Sequence, residues 1–186
     1  LKWAFVFLMV ALLTGCASLS REQCQRGDWY GIGMADGQAG EPTNRKDQHV
    51  RACSEYGIRI NDQQYFDGYA RGLIDYCRID NAFESGLRGK RYQHVCPPAI
   101  DALFERCNRA AYEVYWIKGE LDRLENQIDS QEFRLRGTDL SDDYRHQLRR
   151  DLRELDRQYD RLRSDLFFSE RYLDELRDDV RMHPIP

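Results

Sequence analysis

No apolar run in this sequence is long enough to cross a bilayer as a helix. The longest unbroken one extends from Trp3 to Leu13, eleven residues, where a span needs about 20. Cations are not in excess either: 28 lysines and arginines stand against 32 aspartates and glutamates, for a formal net charge of -4. Arginine and aspartate are interspersed through the C-terminal half without forming a basic face, which argues against nucleic acid as a partner, because such binding rests on clustered cations. A phosphate loop is missing as well. The stretch GDWYGIGMADGQAG, residues 27–40, is followed by Glu41 where a Walker motif would need Lys and then Ser or Thr. A dinucleotide fingerprint would need a preceding strand and a further acid beyond it. Histidine is scarce, at four residues, too few and too scattered to build an extended metal or acid–base centre.

What is present at the N-terminus is Lys2, the apolar run, and then Leu13-Thr14-Gly15-Cys16. The run suits the apolar region of a secretory signal, and the four residues after it resemble a bacterial lipobox. That resemblance implies cleavage before Cys16, with diacylglycerol on its thiol and an acyl group on its amine. Two or more chains, at about 0.8 kcal/mol per buried methylene, hold a protein stably on a membrane where one does not. Ala17 and Ser18 follow in place of the Asp that favours retention at the inner membrane, so the expected location is the outer membrane, lipid-anchored and facing the periplasm. Losing residues 1–15 removes Lys2 and no acid, which takes the formal charge from -4 to -5. The mature chain, roughly 170 residues, has room for one ordinary domain or for a small domain with an extension.

The second arrangement fits the change of pattern near Pro98. Before it the chain is rich in glycine, aromatics and cysteine. After it, apolar residues fall at Cys107, Ala110, Val114, Ile117, Leu121, Leu124 and Ile128, in steps of three and four, which is a heptad seam. The seam resumes from Leu148 to Val180, interrupted at Ser169. Between the two lies RGTDLSDD, in which Gly137 suits a helix stop and Ser141, Asp142 and Asp143 suit a capped, acidic helix start. The fold expected is all-α: a small disulfide-pinned bundle of short glycine-notched helices, then a long antiparallel coiled-coil hairpin. The corresponding divisions are 1–15 signal peptide, 16–26 lipidated N-terminus and tether, 27–99 Gly/aromatic/Cys-rich helical domain, 100–182 coiled-coil hairpin and 183–186 tail.

Besides Cys16 there are five cysteines, at 24, 53, 77, 96 and 107. In an oxidising compartment, cysteines in a small domain are more readily disulfides than metal ligands. Sequence leaves fifteen arrangements of two pairs and one odd cysteine. We favour Cys24 with Cys53 and Cys77 with Cys96, each closing a loop of about 20 to 30 residues and contributing around 3 kcal/mol in the chain-entropy model. Cys107 is then an odd thiol on the core side of its helix, inert through burial.

The glycines repeat with an aromatic: Tyr30-x-x-Gly33-x-x-x-Gly37, Tyr65-x-x-Gly68-x-x-x-Gly72 and a shortened Phe83-x-x-Gly86-x-x-Gly89. Glycines four apart share a helix face, and each costs about 1 kcal/mol against alanine in a helix interior. Close approach of another backbone is the usual compensation, so these read as short helices with a thinned face. A ligand groove between the aromatics is the other reading.

These residues carry a resemblance. Asp28, Trp29, Gly33, Asp36, Gly37, Gly40, Cys53, Gly57, Tyr65, Gly68, Gly72, Tyr76, Cys77, Gly86, Gly89, Tyr92, Cys96 and Pro97 stand in the order of the bacterial lipoprotein family known as domain of unknown function 2799. The resemblance covers Cys24 to about Gly119. It implies an uncharacterised envelope lipoprotein with a lipobox and a helical C-terminal tail, and it brings no established activity. Cys107 falls where the family is not expected to have a cysteine.

Catalytic chemistry finds little support. Asp28 and Asp36 are the best carboxylate pair, eight residues apart, but Asp28 suits a helix N-cap before Trp29 and Asp36 a local cap or pair. His49 and Cys53, four apart, with Cys24, could make a partial zinc shell, which a disulfide explains more simply. His94, Cys96 and Asp75 could be drawn as a nucleophile with its base without any motif behind them. The expectation is no enzyme, no cofactor and no metal. Trp29, Tyr30, Asp36, Tyr65 and Tyr92 are the candidate surface for a small ligand or glycan. The leading expectation is a structural or adaptor protein whose coiled-coil arm engages another envelope protein or its own copy.

Overall fold

The computed structural model describes residues 18–183, and among them there are helices and no strand. We number the helices α1 (Arg21–Arg26), α2 (Trp29–Ala39), α3 (Arg45–Ser54), α4 (Asp62–Tyr76), α5 (Ile79–Leu87), α6 (Pro98–Leu135) and α7 (Asp142–Met182). The segment expected to be a signal peptide, Cys16 and the tail from residue 184 lie outside the described residues. The described chain forms two compact units. One runs up to Cys77 and regains Gln93–Cys96; the other is Arg78–Tyr92 with the residues from Pro97 onward. This grouping differs over residues 78–92 and 97–99 from the division at 99 that composition suggests.

The first unit begins earlier than the expected tether allows. Ser20 opens α1 with a capping box, its Oγ accepting from Gln23 N at 3.3 Å while Gln23 Oε1 accepts from Ser20 N at 2.8 Å. Leu19 is 5% exposed in the core, and Cys24 is bonded to Cys53 of α3 with Cα atoms 5.5 Å apart. Residues 18–26 are therefore part of the fold, because a buried leucine, a satisfied cap and a disulfide hold them there. The second disulfide joins Cys77 to Cys96, Cα atoms 5.6 Å apart. Both pairs are the ones favoured by the sequence.

The centre of this unit is α2 against α4. A Cβ placed on Gly33 would lie 2.0 Å from Tyr65 O, and one on Gly68 would lie 2.0 Å from Tyr30 O. Gly37 faces Tyr69 O at 2.3 Å and Gly72 faces Met34 O at 2.2 Å in the same way. Contacts advance together along both helices, so the two run in the same sense. The contacts are also reciprocal: each copy of the repeat accepts the other's backbone onto its glycines, and this close approach offsets the low helix propensity of glycine. Trp29 of α2 and Tyr65 and Tyr69 of α4 go into the core beside it, while Tyr30 stays exposed. Tyr65 and Tyr69 pack with Trp29, Leu19 and the Cys24–Cys53 bond, with Ile32, Ile58, Ile60 and Leu73 around them.

In the second unit α5, α6 and α7 pack together. Pro97 and Pro98 start α6, where a missing N–H costs nothing, and its seam residues Cys107, Val114, Ile117 and Leu124 are at most 2% exposed. The connection at 136–141 turns the chain back, with Ser141 Oγ accepting from Tyr144 N at 3.3 Å and Arg145 donating to the carbonyls of Leu135 and Gly137 at 3.3 and 3.4 Å. Lys118 pairs with Glu170 at 2.8 Å and Arg106 with Asp179 at 4.0 Å, positions that rise on one helix as they fall on the other. The hairpin is antiparallel, and α7, at 41 residues, runs for about 60 Å.

The third glycine copy serves this unit. A Cβ on Gly86 of α5 would meet Asn108 O at 2.5 Å and Ala111 Cβ at 2.7 Å. Gly89 is not helical: its φ of +80° ends α5 in a left-handed turn over the Tyr115 ring. Asn108, 2% exposed, organises that turn. Its Oδ1 accepts from Tyr92 N at 2.9 Å, and its Nδ2 donates toward Ser85 Oγ and Lys90 O, both at 3.0 Å.

Candidate functional site

Two features stand apart from ordinary packing, one in each unit. The first is a chain of hydrogen bonds through His49. Its Nε2 lies 2.8 Å from Asp36 Oδ2 and its Nδ1 lies 2.9 Å from Ser18 Oγ, while Tyr65 OH donates to the same Asp36 Oδ2 at 2.7 Å. His49 is 2% exposed. Burial pushes the Asp36 carboxyl upward, but the hydrogen bonds from His49 and Tyr65 and the charges of His49 and Arg45 outweigh it, so the carboxyl is held below its usual range. Burial and the Asp36 carboxylate push the Tyr65 hydroxyl well above its ordinary value. With Asp36 ionised, Nε2 carries a proton and donates to Oδ2, while Nδ1 shares a hydrogen bond with Ser18 Oγ.

Serine, imidazole and carboxylate in this order are the elements of an activated nucleophile. Here they have a structural effect that follows directly from the distances. Both ring nitrogens are engaged, Asp36 Oδ2 accepts two donors, and the backbone at Ser18 is fixed to α2, α3 and α4 at once. Nothing in the sequence singled out Ser18 or joined His49 to Asp36. The available signal was the Cys24–Cys53 pairing, which draws together the residues a turn or two before each cysteine.

The expected small-ligand surface is not formed. Trp29 is 6% exposed and Tyr65 is fully buried, both in the core of the first unit. Tyr92 is buried in the second unit, its ring 4.6 Å from that of Phe104 and its hydroxyl 2.6 Å from Asp101 Oδ1. Asp36 turns inward to His49 and Tyr65, and Tyr30 alone of the five is well exposed. The physical reason is the glycine crossing. It brings backbones into contact and leaves no groove between them, while Trp29, Tyr65 and Tyr69 fill the core beside it.

The other chemistry weighed on sequence dissolves similarly. Asp28 caps α2, Oδ1 accepting from Gly31 N at 2.9 Å, and so does not pair with Asp36. Cys24 and Cys53 are spent in a disulfide and offer no thiolates beside His49. Cys96 is bonded to Cys77, while Asp75 accepts from Gln38 and pairs with Arg71. Among the described residues no three His, Cys, Asp or Glu side chains are grouped to hold a metal ion.

The second feature is on the hairpin. Trp116 of α6 and Phe168 and Tyr172 of α7 are 44, 63 and 51% exposed. Phe168 and Tyr172, with Arg106, Arg109 and Glu113, line a groove of about 410 Å³. A second groove, about 630 Å³, lies farther along, lined by Arg123, Gln127 and Arg134 on α6 and by Asp151, Glu154 and Leu155 on α7. Aromatics and arginine around a concave surface are the composition of binding hot spots. Cys107, by contrast, is sealed beneath this helix pair. Burial pushes its thiol up to about 11, with Asp179 raising and Arg106 lowering it.

Residues 28–113 match the model of the family described as a protein of unknown function, DUF2799. That description assigns no activity. No curated protein and no solved structure matches the chain.

Proposed function

We propose that this protein is an outer-membrane-anchored lipoprotein facing the periplasm, acting as a structural or adaptor protein through its helical hairpin rather than as an enzyme. The observation that carries this reading is the exposure of Trp116, Phe168 and Tyr172 on the hairpin, where Phe168 and Tyr172 line a groove together with Arg106 and Arg109. Large aromatics left in water beside arginines are costly unless a partner covers them. The anchor fits the same reading. Ser18 is held by His49, so a lipid on Cys16 would keep the first unit within about 7 Å of chain from the bilayer surface. No long flexible leash separates the two.

The test is photocrosslinking in cells, with a photoreactive residue replacing Phe168 on the aromatic face and, as a control, Arg150. Capture of one dominant envelope component from Phe168 and not from Arg150 is the expected result. Silence at both, with the protein present and lipidated, would overturn the assignment of the hairpin as the working surface.

A further inference from the structure

The two grooves on the hairpin lie on one face. Asp151, Glu154 and Leu155 of the far groove are displaced from Tyr172, Phe168 and Ser169 of the near one by 21, 14 and 14 residues, whole numbers of heptads. On α6, Arg109 and Glu113 relate to Arg123 and Gln127 by 14 each, and Trp116 is one heptad from Arg109. In a coiled coil, positions a whole number of heptads apart point the same way. The face extends from Arg106 to Arg134, about 42 Å at 1.5 Å per residue, and is two helices wide, about 20 Å. That is about 800 Å², the area each partner buries in a stable protein complex.

We propose that the occupant of this face is the same face of a second copy, the two hairpins closing into a four-helix bundle. The proposal rests on the hairpin being the working surface and names its partner. Three observations favour a second copy over a foreign protein. First, the seam is unfinished on one side. Val114, Ile117, Leu121 and Leu124 of α6 are buried, whereas Leu152, Leu155, Tyr159, Leu162 and Leu166 of α7 are only half-buried. Two helices cannot enclose a seam on all sides, and four can.

Second, the charges are self-complementary. In the far groove α6 presents Arg123 and Arg134, while α7 presents Asp151 and Glu154. A two-fold axis that lays each α6 over the other copy's α7 brings opposite charges together twice, as an isologous interface requires. Third, Trp116, Phe168 and Tyr172 lie on this face, so the same two-fold sets Trp116 of each copy against Phe168 and Tyr172 of the other. Copies anchored on one membrane surface also meet at high effective concentration.

The experiment uses the full lipidated chain, in cells and purified in detergent. In cells, the Phe168 crosslink should run at twice the chain's mass and contain only this sequence. In detergent, sedimentation should show a dimer that dissociates on dilution and weakens as salt is raised. Trp116→Asp and Phe168→Asp should each raise its dissociation constant about tenfold or more. Ile74→Asp, at a side chain 65% exposed on α4, should leave it unchanged. A monomer at every concentration, with Phe168 capturing a different envelope protein, would overturn the second copy and leave the adaptor reading standing. A dimer indifferent to both aspartates would overturn the face. Silence from Phe168 in cells together with a monomer in detergent would sink both.

Discussion

Replacing Gly33 or Gly68 by alanine adds one methyl group, and so does replacing Gly119, yet the two kinds of substitution should move stability in opposite directions. In an exposed helix interior, glycine to alanine gains up to about 1 kcal/mol, from helix propensity and from a less flexible unfolded chain. Gly119 of α6 has nothing within 4 Å of an added Cβ, so the full gain is expected there. At Gly33 and Gly68 the same Cβ would lie 2.0 Å from a carbonyl oxygen of the facing helix, and that oxygen belongs to backbone that cannot rotate away. The helices must separate by more than 1 Å, and overpacking of this kind costs about 3 kcal/mol. Subtracting the propensity gain leaves a loss of about 2 kcal/mol, hence a difference near 3 kcal/mol between identical chemical changes. Urea unfolding followed by circular dichroism gives the sign, and hydrogen exchange at α2 and α4 amides localises it. If Gly33→Ala or Gly68→Ala stabilises the protein as Gly119→Ala does, the helices are not in backbone contact.

Further expectations concern the polar groups. Asp36→Asn should cost about 2 kcal/mol at neutral pH, through loss of the charged acceptor for His49 and Tyr65. Because folding lowers the Asp36 pKa, its stabilisation is complete above the unfolded carboxylate value, about 4, and is lost as pH falls through the lower folded value. The stability gap between wild type and Asp36→Asn should therefore narrow below about pH 4; a gap that widens there would reverse the assignment. Cys107 should resist iodoacetamide at neutral pH and react fully in denaturant, which mass spectrometry reads directly; rapid labelling of the native protein would contradict its burial. Gln131, whose Oε1 is buried without a hydrogen-bond partner, lies opposite Leu155 in the hairpin; Gln131→Leu should raise thermal stability by about 1 kcal/mol, and a loss would mean that the amide is satisfied in solution.

Much of the framework was legible in the sequence because it rests on local signals. The heptad steps from Cys107 to Ile128, the Gly137 stop and the Ser141 cap place both long helices, and the glycine spacing correctly called for backbone contact. What could not be read was which backbone. That choice depends on the reciprocal fit of the copies at Tyr30 and Tyr65, a tertiary property. The same fit misled the reading of Trp29, Tyr65 and Tyr92, since an aromatic beside a notched helix suits a ligand groove and a core equally well. His49 was hidden for a related reason. Its partners Ser18 and Asp36 lie 31 and 13 residues away in sequence, and only the Cys24–Cys53 bond and the α2–α4 crossing assemble them.

Three copies of a motif that pairs with itself leave one over, and this accounts for the break between Cys77 and Arg78. The first two copies satisfy each other, glycine to carbonyl, in both directions. The third, in α5, has no fourth copy to accept, and it turns instead to a helix whose small residues imitate one. Ala111 of α6 lets α5 approach, and Asn108 O occupies the position against Gly86 that the Tyr65 and Tyr30 carbonyls occupy against Gly33 and Gly68. The likeness is partial, since Gly86 has one helix-facing glycine where the others have two. Gly86→Ala should therefore loosen α5 from α6 and raise hydrogen exchange across residues 79–92, where the turn hangs on Asn108. The α2 and α4 amides should keep their protection. If exchange rises equally in both units, the third copy does not serve α6 alone, and the two units do not unfold separately.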